Sequence, residues 1–227
     1  MTRPSADGDH AASLEGITPP WIKVCGLRDA ELGHVAVDAG ANVLGCVLAE
    51  GSPRQVSLDQ ALALADRWES LPCAVVAVVV DLAESDPLLK SWRGPIQVHG
   101  TIAEAALERL WTRRLPVIVA GPDAGHRSLL LAGATVEPAA RLLDHANPGS
   151  GVAHDWSRVG QAIAPFRTRA IVAGGLGPDN VAEAISVARP AGVDASSGLE
   201  SARGTKSEAL IRDYCRAAVD AFRNSGM

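Results

Sequence analysis

Short apolar runs alternate with longer amphipathic stretches along most of the chain. Runs at Trp21 to Cys25, Asn42 to Val47, Cys73 to Val80, Pro95 to Val98, Pro116 to Ala120, Arg141 to Asp144, Ala170 to Ala173 and Gly192 to Ala195 have strand length. The valine-rich third run suits a strand buried on both faces, as in a parallel sheet covered by helices. Between the runs, Asp29 to Asp38, Leu58 to Trp68, Thr101 to Trp111, Asp179 to Ala188 and Lys206 to Phe222 carry helical periodicity. Eight strands alternating with helices predict parallel pairing through helical crossovers, closed into a single (β/α)8 TIM barrel over residues 21–227. The crossover after the fifth run is the irregular one. Gly121 to Glu137 carries three glycines, with Pro122 inside it and Pro138 just beyond, and within it only Ser128 to Ala132 reads as helix.

A chain of 227 residues is close to the roughly 250 that such a barrel takes, leaving little room for a second domain. Residues 1–20, rich in Ala, Ser, Asp, Gly and Pro without an apolar core segment, are expected to form a flexible N-terminal tail and not a signal peptide. The longest apolar run is far below the roughly 18 residues a membrane helix needs, so no membrane partner is expected. A net charge of -5 with scattered arginines offers no basic face for nucleic acid. Cys25, Cys46, Cys73 and Cys215 form no C-x-x-C pair, which predicts reduced thiols, no structural metal and a cytoplasmic location.

Glycine and polar residues collect where the predicted strands end, the face on which such barrels place their chemistry. Ala173-Gly174-Gly175-Leu176 and Gly192-Val193-Asp194-Ala195-Ser196-Ser197-Gly198-Leu199-Glu200 are two neighbouring ends opening into small residues. Backbone amides approach a phosphate only where side chains are absent, and a helix beginning at Ser197 would aim its free N–H groups at that anion. The chain is therefore expected to hold a phosphorylated small molecule.

Further signals stand at the other ends. They are Lys23-Val24-Cys25-Gly26-Leu27, Ser52-Pro53-Arg54-Gln55-Val56, Gln97-Val98-His99-Gly100, Leu142-Leu143-Asp144, and Gly149-Ser150-Gly151 followed by Asp155-Trp156. With the two glycine ends, these seven motifs, in this order from about Trp21 to Tyr214, resemble the phosphoribosylanthranilate isomerase family.

The resemblance implies an Amadori rearrangement with no cofactor or metal. An acid protonates the furanose ring oxygen, the ring opens to a protonated imine, and a base takes the C2 proton to give an enolamine that becomes the ketone. Position by position, the base is Cys25 and the acid Asp144. Arg54 matches the contact to the substrate's aryl carboxylate, which a planar guanidinium can grip with two N–H groups. The phosphate would rest on Gly149, Ser150, Gly151, Gly174, Gly175, Ser196, Ser197 and Gly198, with serine hydroxyls as extra donors. Asp194 matches a residue near the pocket. A thiol of ordinary pKa near 8.5 needs nearby positive charge or amides to work as a base, and a carboxyl near 3.9 needs an apolar or anionic setting to work as an acid.

Taken singly, each residue has a plainer explanation: Cys25 as core filler, Asp144 as a turn cap, Arg54 as a solvated charge, the glycines as turn formers. Their concurrence at one mouth favours the site. His99 reads as a satisfied structural histidine, and Cys46, Cys73 and Cys215 as core. The chain departs from the family at Leu48-Ala49-Glu50-Gly51, Ser150, His154, Asp81 and the Ala120-Gly121 strand end, none of them the acid, base or anchor. Two other readings stand beside this one. A histidine-pathway aminoaldose isomerase carries an aspartate where this chain has Cys25, and a barrel that only binds phosphosugars would have no need of both Cys25 and Asp144. The expected state is monomer or homodimer.

Overall fold

The barrel strands of this protein are buried on both faces, apart from the half-buried last two residues of the strand that ends at Asp144, because one face looks into the barrel and the other under the helices. The computed structural model describes residues 14, 16–122, 124–144 and 155–226. Its elements run β1 Trp21–Cys25, α1 Ala30–Asp38, β2 Val43–Val47, α2 Leu58–Trp68, β3 Ala74–Val79, α3 Leu88–Ser91, β4 Ile96–Val98, α4 Glu104–Thr112 and β5 Val117–Ala120. There follow β6 Leu129–Leu131, β7 Ala134–Val136, β8 Ala140–Asp144, α5 Trp156–Ile163, β9 Ala170–Ala173, α6 Val181–Ala188, β10 Gly192–Ala195, β11 Glu200–Ala202, β12 Thr205–Lys206 and α7 Glu208–Asn224. Strands β1-β10-β9-β8-β5-β4-β3-β2 close a parallel barrel, so the eight predicted runs are its eight staves within a residue or so.

Alternation along each stave sorts the side chains. Ile22, Val24, Leu44, Cys46, Ile96, Val98, Val193 and Ala195 pack into the layer between strands and helices. Trp21, Cys25, Val43, Val47, Ile118, Leu142, Ile171 and Ala173 point inward. The same parity turns Lys23, Gly45, Gln97, Asp144 and Asp194 inward, giving an apolar barrel an ionic middle. Its floor is closed by Leu14, which has no exposed surface and packs with the inward set, while Trp21 Nε1 donates to the Ile17 carbonyl at 3.0 Å. The last part of the expected loose tail is thus docked; residues 1–13 lie outside the described set.

The helices begin where polar caps stand. Asp29 and Ser57 accept the second or third backbone N–H of α1 and α2. One expectation about the crossovers fails. Segment 128–132 is not helical but forms the β6–β7 hairpin, since Ala132 and Gly133 take left-handed φ of 50° and 76° that end a helix after any single turn. Segment 156–163 is a helix, α5, capped by Asp155 and not recognised in the sequence.

Without a regular helix after β5, that corner is held by two arginines. Arg127 donates to the carbonyls of Val98, His99, Ala120 and Gly100, the ends of β4 and β5. Arg141, 7 % exposed, donates to the Ala124 and Arg127 carbonyls at 2.8 and 2.7 Å. Strand-end carbonyls that would otherwise lack donors are satisfied by guanidinium groups. Arg127→Ala is therefore expected to lower unfolding free energy by about 2–3 kcal/mol in urea titrations, whereas Arg93→Ala, in an exposed connection, changes it by less than about 0.5 kcal/mol. Equal effects of the two would contradict this account of the corner.

Candidate active site

Strand β1 brings two reactive side chains to the inner wall, Lys23 and Cys25, two residues apart and on the same face. Lys23 has no exposed side-chain surface, and its Nζ donates to Asp194 Oδ2 on β10 at 2.9 Å. The register sets Lys23 directly beside Asp194 and Cys25 beside Gly45 of β2. Gly45 makes the room: a Cβ there would stand 3.0 Å from the Cys25 sulfur and 3.3 Å from Lys23 Nζ. Thiol and ammonium consequently share the space left by one missing side chain.

Burial pushes the Cys25 thiol up, and Asp194 adds to the rise, while Lys23, by charge and hydrogen bonding, and Lys206 pull it down. Burial wins, so Cys25 rests as a thiol. For Lys23, burial disfavours the ammonium, yet Asp194 and Cys25 overcome it and its pKa is raised. Cys46 and Cys215, pushed up to about 12 by burial, are inert core thiols as expected. Cys73 is half-buried.

Asp144 is the last residue of β8, inward by parity, half-buried, and in register with Ala173, so the predicted acid borders the Gly174-Gly175 turn. That turn takes φ of 91° and 68°, left-handed values open to glycine. It packs against the second glycine end, where a Cβ on Gly198 would meet the Leu176 carbonyl oxygen at 2.1 Å. The contact of Gly198 with Leu176 and Gly177 makes the two glycine ends neighbours. The helix expected from Ser197 is instead one 3₁₀ turn, Ser197–Leu199, which passes into the β11–β12 hairpin because Gly204, at φ 80°, reverses the chain. The Ser196 hydroxyl also differs from its expected role: it donates to the Cys25 carbonyl at 3.1 Å and is not free for a phosphate. Gly149, Ser150 and Gly151 lie outside the described residues.

Arg54 crosses the end of β1. Its stem lies over Gly26, where a Cβ would come within 2.6 Å of Arg54 Cδ, so the Cys25-Gly26 step both presents the thiol and admits the arginine. The guanidinium forms a two-point pair with Glu200, Nε to Oε1 at 2.5 Å and Nη2 to Oε2 at 2.9 Å. Lys206 Nζ donates to Glu200 Oε1 and to the Ser196 carbonyl, each at 2.9 Å. Among the described residues Arg54 Nη1 has no partner, which leaves the outer Nη1–Nη2 edge of the fork for a ligand.

His99, read as structural, sits where Lys23, Asp194 and Arg127 act on it, its pKa lowered first by burial and then by Lys23. It pairs with inward Gln97, Nε2 to Nε2 at 2.9 Å, so it belongs to the site's wall. Asp81, a departure from the family, ties the end of β3 to Thr101 through its N–H at 2.6 Å and hydroxyl at 2.8 Å. Sequence reading gave no role to Lys23, Glu200 or Lys206. Lys23 had a signal, being the one charge in a strand-length apolar run; Glu200 and Lys206 had none, since their pairing is made by a hairpin read as helix.

Comparison with known proteins finds relatives along most of the chain. The sequence model described as N-(5'phosphoribosyl)anthranilate (PRA) isomerase matches residues 22–217. N-(5'-phosphoribosyl)anthranilate isomerase from Rhodopseudomonas palustris strain HaA2 is 37% identical over 210 residues, covering 86% of this chain and 94% of its own. Among solved structures, TrpF from Jonesia denitrificans is similar with a TM-score of 0.72 and 34% identity, covering 88% of this chain and 97% of its own. Phosphoribosyl anthranilate isomerase from Thermus thermophilus gives 0.71 and 29%, covering 88% and 98%. A further neighbour, at 0.67 and 27% with coverage of 88% and 98%, is the enzyme in complex with reduced 1-(o-carboxyphenylamino)-1-deoxyribulose 5-phosphate.

Glu200 makes the site sensitive to acid. Burial alone would raise its carboxyl, but Arg54, Lys206 and the Gly204 N–H hold it down at about 2 against an ordinary 4.5. Because the folded value is the lower one, the pair's contribution is complete above about pH 4.5 and is lost as pH falls through about 2. Glu200→Gln is expected to be less stable than wild type at neutral pH, with the gap in urea midpoints closing toward pH 2. A gap independent of pH would contradict the pairing.

Proposed function

The chain belongs to the N-(5'-phosphoribosyl)anthranilate isomerase family, and from that premise we propose how its own residues perform the isomerisation of N-(5'-phosphoribosyl)anthranilate to 1-(2-carboxyphenylamino)-1-deoxyribulose 5-phosphate. It is an intramolecular isomerase of tryptophan biosynthesis. The observation that carries the assignment of roles is the inward placing of Cys25 at the end of β1 and Asp144 at the end of β8, with a lysine ammonium beside the sulfur.

Bound by its carboxylate at the outer edge of Arg54 and by its phosphate at the Gly174-Gly175 and Ser197-Gly198 ends, the substrate lays its ribose across the barrel mouth between the two. Asp144 gives its proton to the ring oxygen; the C1–O bond breaks and the nitrogen lone pair forms the protonated imine. Cys25 gives its proton to solvent once the cationic imine faces it; the thiolate so formed takes the C2 proton, and those C–H electrons form the C1–C2 double bond and neutralise the nitrogen. The enolamine then moves its hydroxyl proton to C1 and leaves a ketone at C2. Burial works against the thiolate, while Lys23, Lys206 and the cationic imine work for it. Asp194 acts at one remove by holding Lys23 in place.

The remaining phosphate donors would be Gly149, Ser150 and Gly151 in the loop after β8. No helix among the described residues is long and apolar enough to cross a membrane, and we place the enzyme in the cytoplasm, acting on a phosphorylated small molecule as monomer or homodimer. A phosphoribosylanthranilate isomerase of Thermotoga maritima is described as dimeric.

Loss of substrate fluorescence on mixing purified protein with fresh phosphoribosylanthranilate measures turnover. Cys25→Ala and Asp144→Asn are each expected to lower kcat by about a hundredfold or more with folding intact, the scale of a lost general base or acid. Arg54→Ala is expected to raise KM most. Undiminished kcat in either catalytic variant removes that residue from its role.

A further inference from the structure

Glu200 closes the motif that begins at Gly192, yet nothing in the acid–base scheme uses it. Its side chain is 5 % exposed and accepts four donors. Oε1 takes Arg54 Nε at 2.5 Å and Lys206 Nζ at 2.9 Å; Oε2 takes Arg54 Nη2 and the Gly204 N–H, each at 2.9 Å. A carboxylate offers about four lone-pair sites, so this one is saturated and cannot itself meet substrate.

The donors it collects come from two ends of the site. Arg54 arrives on the loop after β2, with its stem on Gly26. Lys206 arrives on β12, 3 % exposed, and also holds the Ser196 carbonyl at 2.9 Å; the Ser196 hydroxyl in turn binds the Cys25 carbonyl at 3.1 Å. One carboxylate against two cations leaves one positive charge, and of the three side chains Arg54 is the most exposed, at 20 %. Occupation of the Nε side by Glu200 also fixes the plane of the guanidinium, and with it the direction from which a second carboxylate can approach for two parallel hydrogen bonds.

We propose that Glu200 is a positioning residue that orients the Arg54 fork toward the substrate's aryl carboxylate and, through Lys206, locks that anchor to the Ser196 strand end beside the phosphate. Glu200 thereby selects for substrates bearing a carboxylate at the aryl end. The inference rests on the reading of Arg54 given above.

The test uses the full chain and two inhibitors: reduced 1-(o-carboxyphenylamino)-1-deoxyribulose 5-phosphate and the same compound lacking the carboxyl. The ratio of their Kd values isolates the carboxylate anchor from everything that holds the phosphate and sugar. Wild type is expected to prefer the carboxylated compound by at least tenfold, and Glu200→Gln to lose most of that preference, with KM raised and kcat changed by less than about threefold. Lys206→Met is expected to weaken both compounds alike. Glu200→Asp, which keeps the charge but withdraws it by one methylene, is expected to lose part of the preference and carries the test should Glu200→Gln not fold. A folded Glu200 variant that binds both compounds less well while keeping the wild-type ratio would overturn the proposal and leave Glu200 a purely structural residue. Absence of any preference in wild type would instead overturn the reading of Arg54.

Discussion

Moving an ammonium ion out of water costs several kcal/mol, and Lys23, with no exposed side-chain surface, lies in the middle of a closed barrel. Asp194 at 2.9 Å offsets that cost, and the pair fixes much of what surrounds it. It requires the inward faces of β1 and β10 to be in register, which they are, Lys23 beside Asp194. It also requires space, which β2 supplies by having Gly45 where a Cβ would crowd both Nζ and the Cys25 sulfur. The result is a thiol whose nearest charge is a cation that cannot leave. A buried pair of this kind is weak evidence for stability, and its value here is electrostatic: it sets the field at the sulfur.

Around that centre the barrel divides its labour by height. Leu14 and the inward apolar side chains close the floor. Lys23, Asp194 and Gln97 form an ionic and polar middle, and Cys25, Asp144, His99 and the glycine ends form the mouth. Groups at the mouth act on a ligand, whereas the middle acts on the mouth. A second ionic cluster, Arg54 with Glu200 and Lys206, stands at the rim and ties the loop after β2 to the hairpin after β10.

The strands were legible because burial on both faces leaves unbroken apolar runs, and the helices with polar caps were legible at their starts. The crossover after β5 was not. Its folding is decided by Arg127 and Arg141 reaching carbonyls of distant strand ends, and a propensity for helix at Ser128 to Ala132 carries no information about that. At the site, Cys25, Asp144 and Arg54 could be read because motifs surround them. The partners that tune them could not. Lys23 finds Asp194 across 171 positions, and Arg54 finds Glu200 across 146. Glu200 looked like the continuation of a helix until Gly204 turned the chain back. Ser196 looked like a phosphate donor, but its hydroxyl is spent on the Cys25 carbonyl.

The central claim is that the Lys23–Asp194 pair supplies the positive field in which Cys25 ionises. It is tested most directly by titrating the thiolate absorbance of Cys25, taken as the difference between each protein and its Cys25→Ala counterpart, in wild type and in a Lys23→Met/Asp194→Asn variant that leaves no unpaired buried charge. Because Lys23 lowers the thiol's pKa more than Asp194 raises it, the account predicts that Cys25 in the variant titrates at higher pH than in wild type. A midpoint that stays in place or falls would contradict it.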